Sequence, residues 1–238
     1  MTLRLHRRIL RPLAVLAAGS ALALASCDQP KPAAPAAPEA PAGKVRPARA
    51  PEPITWNPEL KAFVLDGKPL ATAALWTFES GPEGFKGAGA EITPRAGGGL
   101  DVVGKVFDPI LRSPADLAIK GAEYNTVLVR ISRSKDTARW DGTLFWITDS
   151  HGEQAGLETR PVRGGDPAVG ETTLMVYDLA KPQRGGDDWV KSTIKGLRLD
   201  LDDDVGGEFT LYQVAIVNVP GGVSPAPDGD ATKAPAAP

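Results

Sequence analysis

The chain carries 2 histidines and 1 cysteine, and that scarcity decides which chemistries its residues can support. His6 belongs to an N-terminal stretch that reads as a secretory signal. A nucleophilic triad would therefore have to be built on His151, and a site of several histidines on one metal cannot form. His151 sits in Asp149-Ser150-His151-Gly152, a turn sequence that predicts an exposed histidine. No Gly-x-Ser-x-Gly elbow and no phosphate-binding glycine loop occurs. The densest acidic run, Asp200 to Glu208, places acids at the first, third and fifth positions of a helix-loop-helix calcium loop. It has Val205 where the turn needs glycine and Leu211 where the bidentate glutamate belongs, so it reads as a polar β-hairpin turn. A calcium site assembled from separate segments would draw on residues such as Glu79, one candidate ligand near the first core strand. A carboxylate pair that cleaves or modifies glycans leaves no local signature.

The strongest positive pattern is a set of strands that are bulky on both faces. In Thr143 to Thr148, Phe145 and Ile147 share one face while Leu144 and Trp146 share the other. In Leu174 to Asp178, Met175 and Tyr177 oppose Leu174 and Val176. Two further strands have clear apolar faces, which sends Arg130 and Arg198 away from the core. If these strands share a sheet, its outer face gathers Arg130, Trp146, Tyr177 and Arg198. Aromatic planes flanked by guanidinium donors suit a saccharide, which stacks its apolar ring face and bonds through its oxygens. The competing arrangement buries Trp146 and Tyr177 in the core and leaves the arginines in surface ion pairs.

The elements that must position these residues read as strands throughout. Ala74–Phe78, Gly99–Val103, Thr126–Ser132, Thr143–Thr148, Thr172–Leu179, Gly196–Leu201 and Glu208–Val219 show period-two or β-branched character between Gly, Pro and Asp punctuation. No window carries a sustained helical stripe. The expectation is an all-β chain with a single β-sandwich, or jelly roll, over residues 54–219. Residues 27–53 are rich in proline and alanine and predict a disordered spacer, extended to roughly 80 Å at most at ~3.1 Å per residue. Residues 220–238 predict a disordered tail of similar composition.

The N-terminus supplies the localisation. Arg4, Arg7, Arg8 and Arg11 precede a short apolar run ending in small residues, so residues 1–26 predict a signal peptide rather than a spanning helix. Leu24-Ala25-Ser26-Cys27 resembles a bacterial lipobox. The resemblance implies diacylglycerol on Cys27, cleavage before it and acylation of the new amino terminus, hence a membrane-anchored lipoprotein outside the cytoplasm. Asp28 resembles the inner-membrane retention signal of enterobacterial lipoproteins. It points to the periplasmic face of the inner membrane, with the outer membrane as the alternative. Removing residues 1–26 takes away four arginines and no acid, which moves the formal charge from −2 to −6. An acidic chain without a later Lys/Arg cluster excludes nucleic acid as the main partner.

The order of motifs carries a second resemblance. Trp76-Thr-Phe78-Glu79 with Gly84-Phe85 is followed by Asp108-Pro109, Tyr124-Asn-Thr-Val-Leu-Val-Arg130 and Leu144-Phe-Trp146-Ile-Thr148. Val176-Tyr177-Asp178-Leu179, Trp189 and Ile194-Lys-Gly196-Leu-Arg198-Leu-Asp200 complete it. This order is similar to the galactose-binding-like jelly rolls and the carbohydrate-binding modules of bacterial secreted proteins. The resemblance implies a β-sandwich, often with a structural calcium ion, and glycan binding on a sheet face or in loops. Together these features predict a non-catalytic, lipid-anchored domain that binds a polysaccharide or glycoconjugate of the cell envelope. Two alternatives stand beside it: a scaffold lipoprotein docking on an envelope protein complex, and a carboxylate-dependent glycan-modifying enzyme.

Overall fold

A computed structural model describes residues 54–223, so the signal segment, Cys27, the Pro/Ala-rich stretch and the tail beyond 223 lie outside the described residues. In chain order the elements are β1 (Ile54–Asn57), β2 (Ala62–Leu65), β3 (Lys68–Pro69), β4 (Ala71–Trp76), β5 (Lys86–Ala88), β6 (Ala90–Pro94), β7 (Leu100–Gly104) and β8 (Ile110–Arg112). They continue with β9 (Ile119–Lys120), β10 (Thr126–Lys135), β11 (Trp140–Thr148), β12 (Glu158–Thr159), β13 (Thr172–Asp178), α1 (Asp188–Lys191), β14 (Thr193–Asp202) and β15 (Glu208–Asn218). The front sheet runs β13-β10-β15-β7-β6 with β4 also on β15. The back sheet runs β12-β11-β14-β8-β5 with β9 also on β14. Both are antiparallel. The long strands β10, β11, β13, β14 and β15 pass back and forth between the two sheets, so the chain forms the β-sandwich its pattern predicts.

Alternation along each strand builds the core. Val127, Val129 and Ile131 of β10, Met175 and Tyr177 of β13, and Val214 and Ile216 of β15 face Leu144 and Trp146 of β11 and Leu197, Leu199 and Leu201 of β14. All are at most 1% exposed, and burying each apolar side chain of this size contributes about 1.5–3 kcal/mol. The four-residue α1 lodges Trp189 in the same core. Its ring meets Trp146 edge-on at 6.1 Å, and its indole N–H donates to the Tyr124 carbonyl at 2.7 Å.

Three strands, β1–β3, precede Ala74, where the sequence pattern places the first strand. These form a three-stranded meander turned at Asp66-Gly67, where φ values of 50° and 77° suit the mirror-image two-residue hairpin turn. Ile54, Phe63 and Leu70 of this segment cover Leu128, Leu174, Val176, Ala215 and Val217 on the outer face of the front sheet. Part of that sheet is thus apolar on both sides. The acidic run is not the β-hairpin turn its chemistry predicts: it begins on β14 of the back sheet and ends at β15 of the front sheet, two strands that do not pair, so residues 203–207 cross from one sheet to the other.

Candidate functional site

The structure does not bring Arg130, Trp146, Tyr177 and Arg198 together. Arg130 and Tyr177 lie on β10 and β13 of the front sheet, and Trp146 and Arg198 on β11 and β14 of the back sheet. Trp146 and Tyr177 are both 0% exposed in the core between the sheets, so neither offers a ring to a ligand. The Trp146 indole N–H donates to Asp188 Oδ2 at 2.7 Å, and the Tyr177 hydroxyl donates to the Gly142 carbonyl at 3.0 Å. Burial pushes the Tyr177 phenol well above its ordinary range. The expected orientation was inverted for a physical reason. On β13 the outward Leu174 and Val176 are apolar because the meander covers them. On β11 the outward Phe145 is roofed by the Arg198 guanidinium, 4.7 Å from its ring centroid. Arg130 and Arg198 do point away from the core, but onto opposite faces of the sandwich.

The outer face of the back sheet is an ionic layer that closes on itself. Glu153 accepts from Arg112 through both carboxylate oxygens, at 2.7 Å from Nη2, and from Arg198 at 3.2 Å. Arg198 donates in turn to both oxygens of Asp200. The bond from Arg112 holds the Glu153 carboxyl below its ordinary range against the opposing effect of burial. Asp200 moves the other way. It is 4% exposed, and burial, aided by the like charges of Asp108 and Asp141, outweighs the bonds from Arg198. Arg198 is therefore spent on intramolecular partners.

The outer face of the front sheet is different. Farther along the strands that the meander covers, an open trough of ≈ 590 Å³ is lined by residues that include Arg95, Asp101, Ser132, Thr172, Thr210 and Tyr212. A β-bulge produces its aromatic element. Pairing between β10 and β15 steps from Arg130↔Gln213 to Ile131↔Leu211, which leaves Tyr212 as the extra residue. The neighbour of β15 also changes there, from β7 opposite Glu208–Leu211 to β4 opposite Val214–Asn218. Gly99 approaches this seam closely. It has φ +110°, and an added Cβ would lie 3.2 Å from the Thr210 methyl and 3.6 Å from the Tyr212 ring. The Tyr212 hydroxyl bonds Ser132 at 3.2 Å, and Arg130 lies over the Tyr212 ring at 4.9 Å while donating to Gln213 Oε1 at 3.0 Å. Tyr212 carries no signal in the sequence because it sits inside a long β-branched strand, where no residue marks the bulge.

His151 also differs from its expected exposed state. Its side chain is 12% exposed, with Nδ1 2.8 Å from the Gly152 carbonyl and Nε2 2.9 Å from Asp188 Oδ2. Both ring nitrogens are engaged with acceptors. Glu79 forms an exposed pair with Lys61 at 2.7 Å, and among the described residues no three His, Cys, Asp or Glu side chains gather with metal-binding spacing.

No protein-family model and no curated protein matches the chain. Among solved structures, a carbohydrate esterase from the Shiga toxin-encoding bacteriophage phi24B aligns at TM-score 0.35 and 10% identity, over 63% of this chain and 100% of that one. An agarase aligns at TM-score 0.34 and 10% identity, over 58% of this chain and 23% of that one. Likenesses at this level carry no argument about what the chain does.

Proposed function

We propose that the chain is a membrane-tethered lipoprotein whose β-sandwich binds a polysaccharide or glycoconjugate of the cell envelope without transforming it. The trough on the front sheet is the observation that carries this reading. It sets a tyrosine ring among hydroxyl, carboxylate and guanidinium groups on a rigid sheet, the combination that saccharide binding asks of a surface. A non-catalytic role is supported by His151, whose nitrogens face a carboxylate and a carbonyl rather than a nucleophile. Tethering rests on the lipobox resemblance at Cys27.

The test is an array of bacterial envelope polysaccharides, with calcium and with chelator, beside a Tyr212→Ala variant. The expected outcome is saturable binding by the parent and a loss of at least about tenfold in the folded variant, typical for removing a stacking anchor. Silence across the array from folded protein would sink the reading.

A second reading, docking onto an envelope protein, is favoured by one observation. Val106, Phe107 and Val205 are 49%, 69% and 49% exposed, on two loops tied by bonds from Asp108 N–H to the Asp203 carbonyl and from Gly206 N–H to the Gly104 carbonyl. Held on a fixed backbone, these apolar side chains suit a protein surface better than water.

A further inference from the structure

The arginines of this domain are largely neutralised from within. Arg95, Arg112, Arg133, Arg139, Arg160, Arg184 and Arg198 each have a carboxylate within ion-pairing distance. Arg130 has none among the described residues, and its one side-chain acceptor is the neutral Gln213. This is costly for a half-buried cation. Burial drives its pKa down, and the nearby Tyr212 offsets that only in part. A guanidinium carries several N–H donors, and Gln213 takes one. The buried polar atoms without a partner, among the described residues, are Arg133 Nε and Asp202 Oδ2. The unused N–H groups of Arg130 are therefore open to solvent rather than sealed inside.

The placement of this unpaired charge is specific. Arg130 is paired in register with Gln213, beside the bulge that turns out Tyr212, where the apolar cover of the meander gives way to the polar trough. One edge of its guanidinium is fixed by the Gln213 amide and its face by the Tyr212 ring, so its planar fork is held before any ligand arrives.

We propose that Arg130 is the subsite for an anionic substituent of the bound glycan, a uronate carboxylate or a sulfate or phosphate ester, with the adjoining sugar in the trough beside Tyr212. This rests on the glycan-binding reading of the same trough and adds the class of sugar to it. An anion there supplies the counter-charge the fold withholds, in a setting where a two-pronged contact is stronger than in water.

The experiment is calorimetry on the full chain in detergent. It uses a panel of oligosaccharides bearing uronate, sulfate or phosphate, each beside its uncharged backbone (the methyl ester, for a uronate), with inorganic sulfate and phosphate as free-anion arms. At least one charged saccharide is expected to bind ten times or more tightly than its neutral partner. Arg130→Gln should erase that difference, and Arg130→Lys should keep part of it. The preference should shrink with added salt, a readout on the parent protein that stands even if Arg130→Gln does not fold. Equal affinity for charged and neutral partners overturns the inference and leaves glycan binding standing. A charge preference untouched by Arg130→Gln also overturns it. Free anions binding as tightly as the saccharides would reduce the site to simple anion capture. No binding by any saccharide to folded protein removes glycan binding and the inference with it.

Discussion

His151 shows how one side chain can make the fold answer to pH. The Gly152 carbonyl and the Asp188 carboxylate are both acceptors, so both ring nitrogens are satisfied only when both carry protons, as in the imidazolium. Burial opposes that charge, but the bonds to Gly152 and Asp188 prevail and raise the His151 pKa above its ordinary 6.5. A raised folded pKa means the folded state binds the proton more tightly than the unfolded chain. The stability gained is then full below about pH 6.5 and disappears as pH climbs through the folded value. Thermal unfolding followed between about pH 5.5 and 8.5 should show the parent losing more stability than His151→Gln across the upper half of that range. Parallel profiles would show that the pair with Asp188 contributes nothing in solution. The effect should spread beyond the residue itself. Asp188 also anchors the Trp146 indole, and the turn that carries His151 continues into Glu153, the acid shared by Arg112 and Arg198.

Among the elements, the meander is the piece whose removal the sandwich would feel most. The main core lies between the two sheets, but Leu128, Leu174, Val176, Ala215 and Val217 point out of the front sheet and depend on β1–β3 for cover. Phe63 is the central plug, 1% exposed and stacked edge-on against Trp56 at 5.2 Å. Phe63→Ala should cost about 3–5 kcal/mol in denaturant unfolding, the range for emptying a well-packed aromatic site. It should also raise the binding of a hydrophobic dye before global unfolding. A loss below about 1 kcal/mol would mean that the meander is loosely held. The same element explains what could and could not be read from the chain. Strands β10, β11, β13, β14 and β15 were legible because alternation and β-branching are local properties. The inward set on β10 and β14 was legible too, because Arg130 and Arg198 mark the outside. On β11 and β13 both faces are apolar, and which one meets the other sheet depends on what covers the second, a long-range fact. The Asp66-Gly67 turn was the local sign of the missing layer. Of the four residues expected to form a site, Arg130 alone borders the trough, through its contact with the lining residue Tyr212. Its aromatic neighbour Tyr212 is set by a bulge that arises only when three strands meet.

At the scale of the whole molecule, binding and anchoring are assigned to separate parts of the chain. The proposed trough lies within residues 54–223, whereas the proposed lipid site is Cys27. Among the described residues no helix is long and apolar enough to cross a membrane. A diacylglyceryl thioether with an acylated amino terminus would hold the chain firmly, since each buried CH₂ contributes about 0.8 kcal/mol and a single acyl chain is only marginal. Separation of this kind has a sharp consequence. Cys27→Ala should move the protein from the membrane to the soluble fraction and abolish incorporation of labelled fatty acid. The melting temperature of the sandwich and its affinity for a soluble glycan should stay as they were. Continued membrane partitioning without acylation would place the attachment elsewhere, and loss of glycan affinity in the released protein would show that the trough needs the membrane-proximal chain.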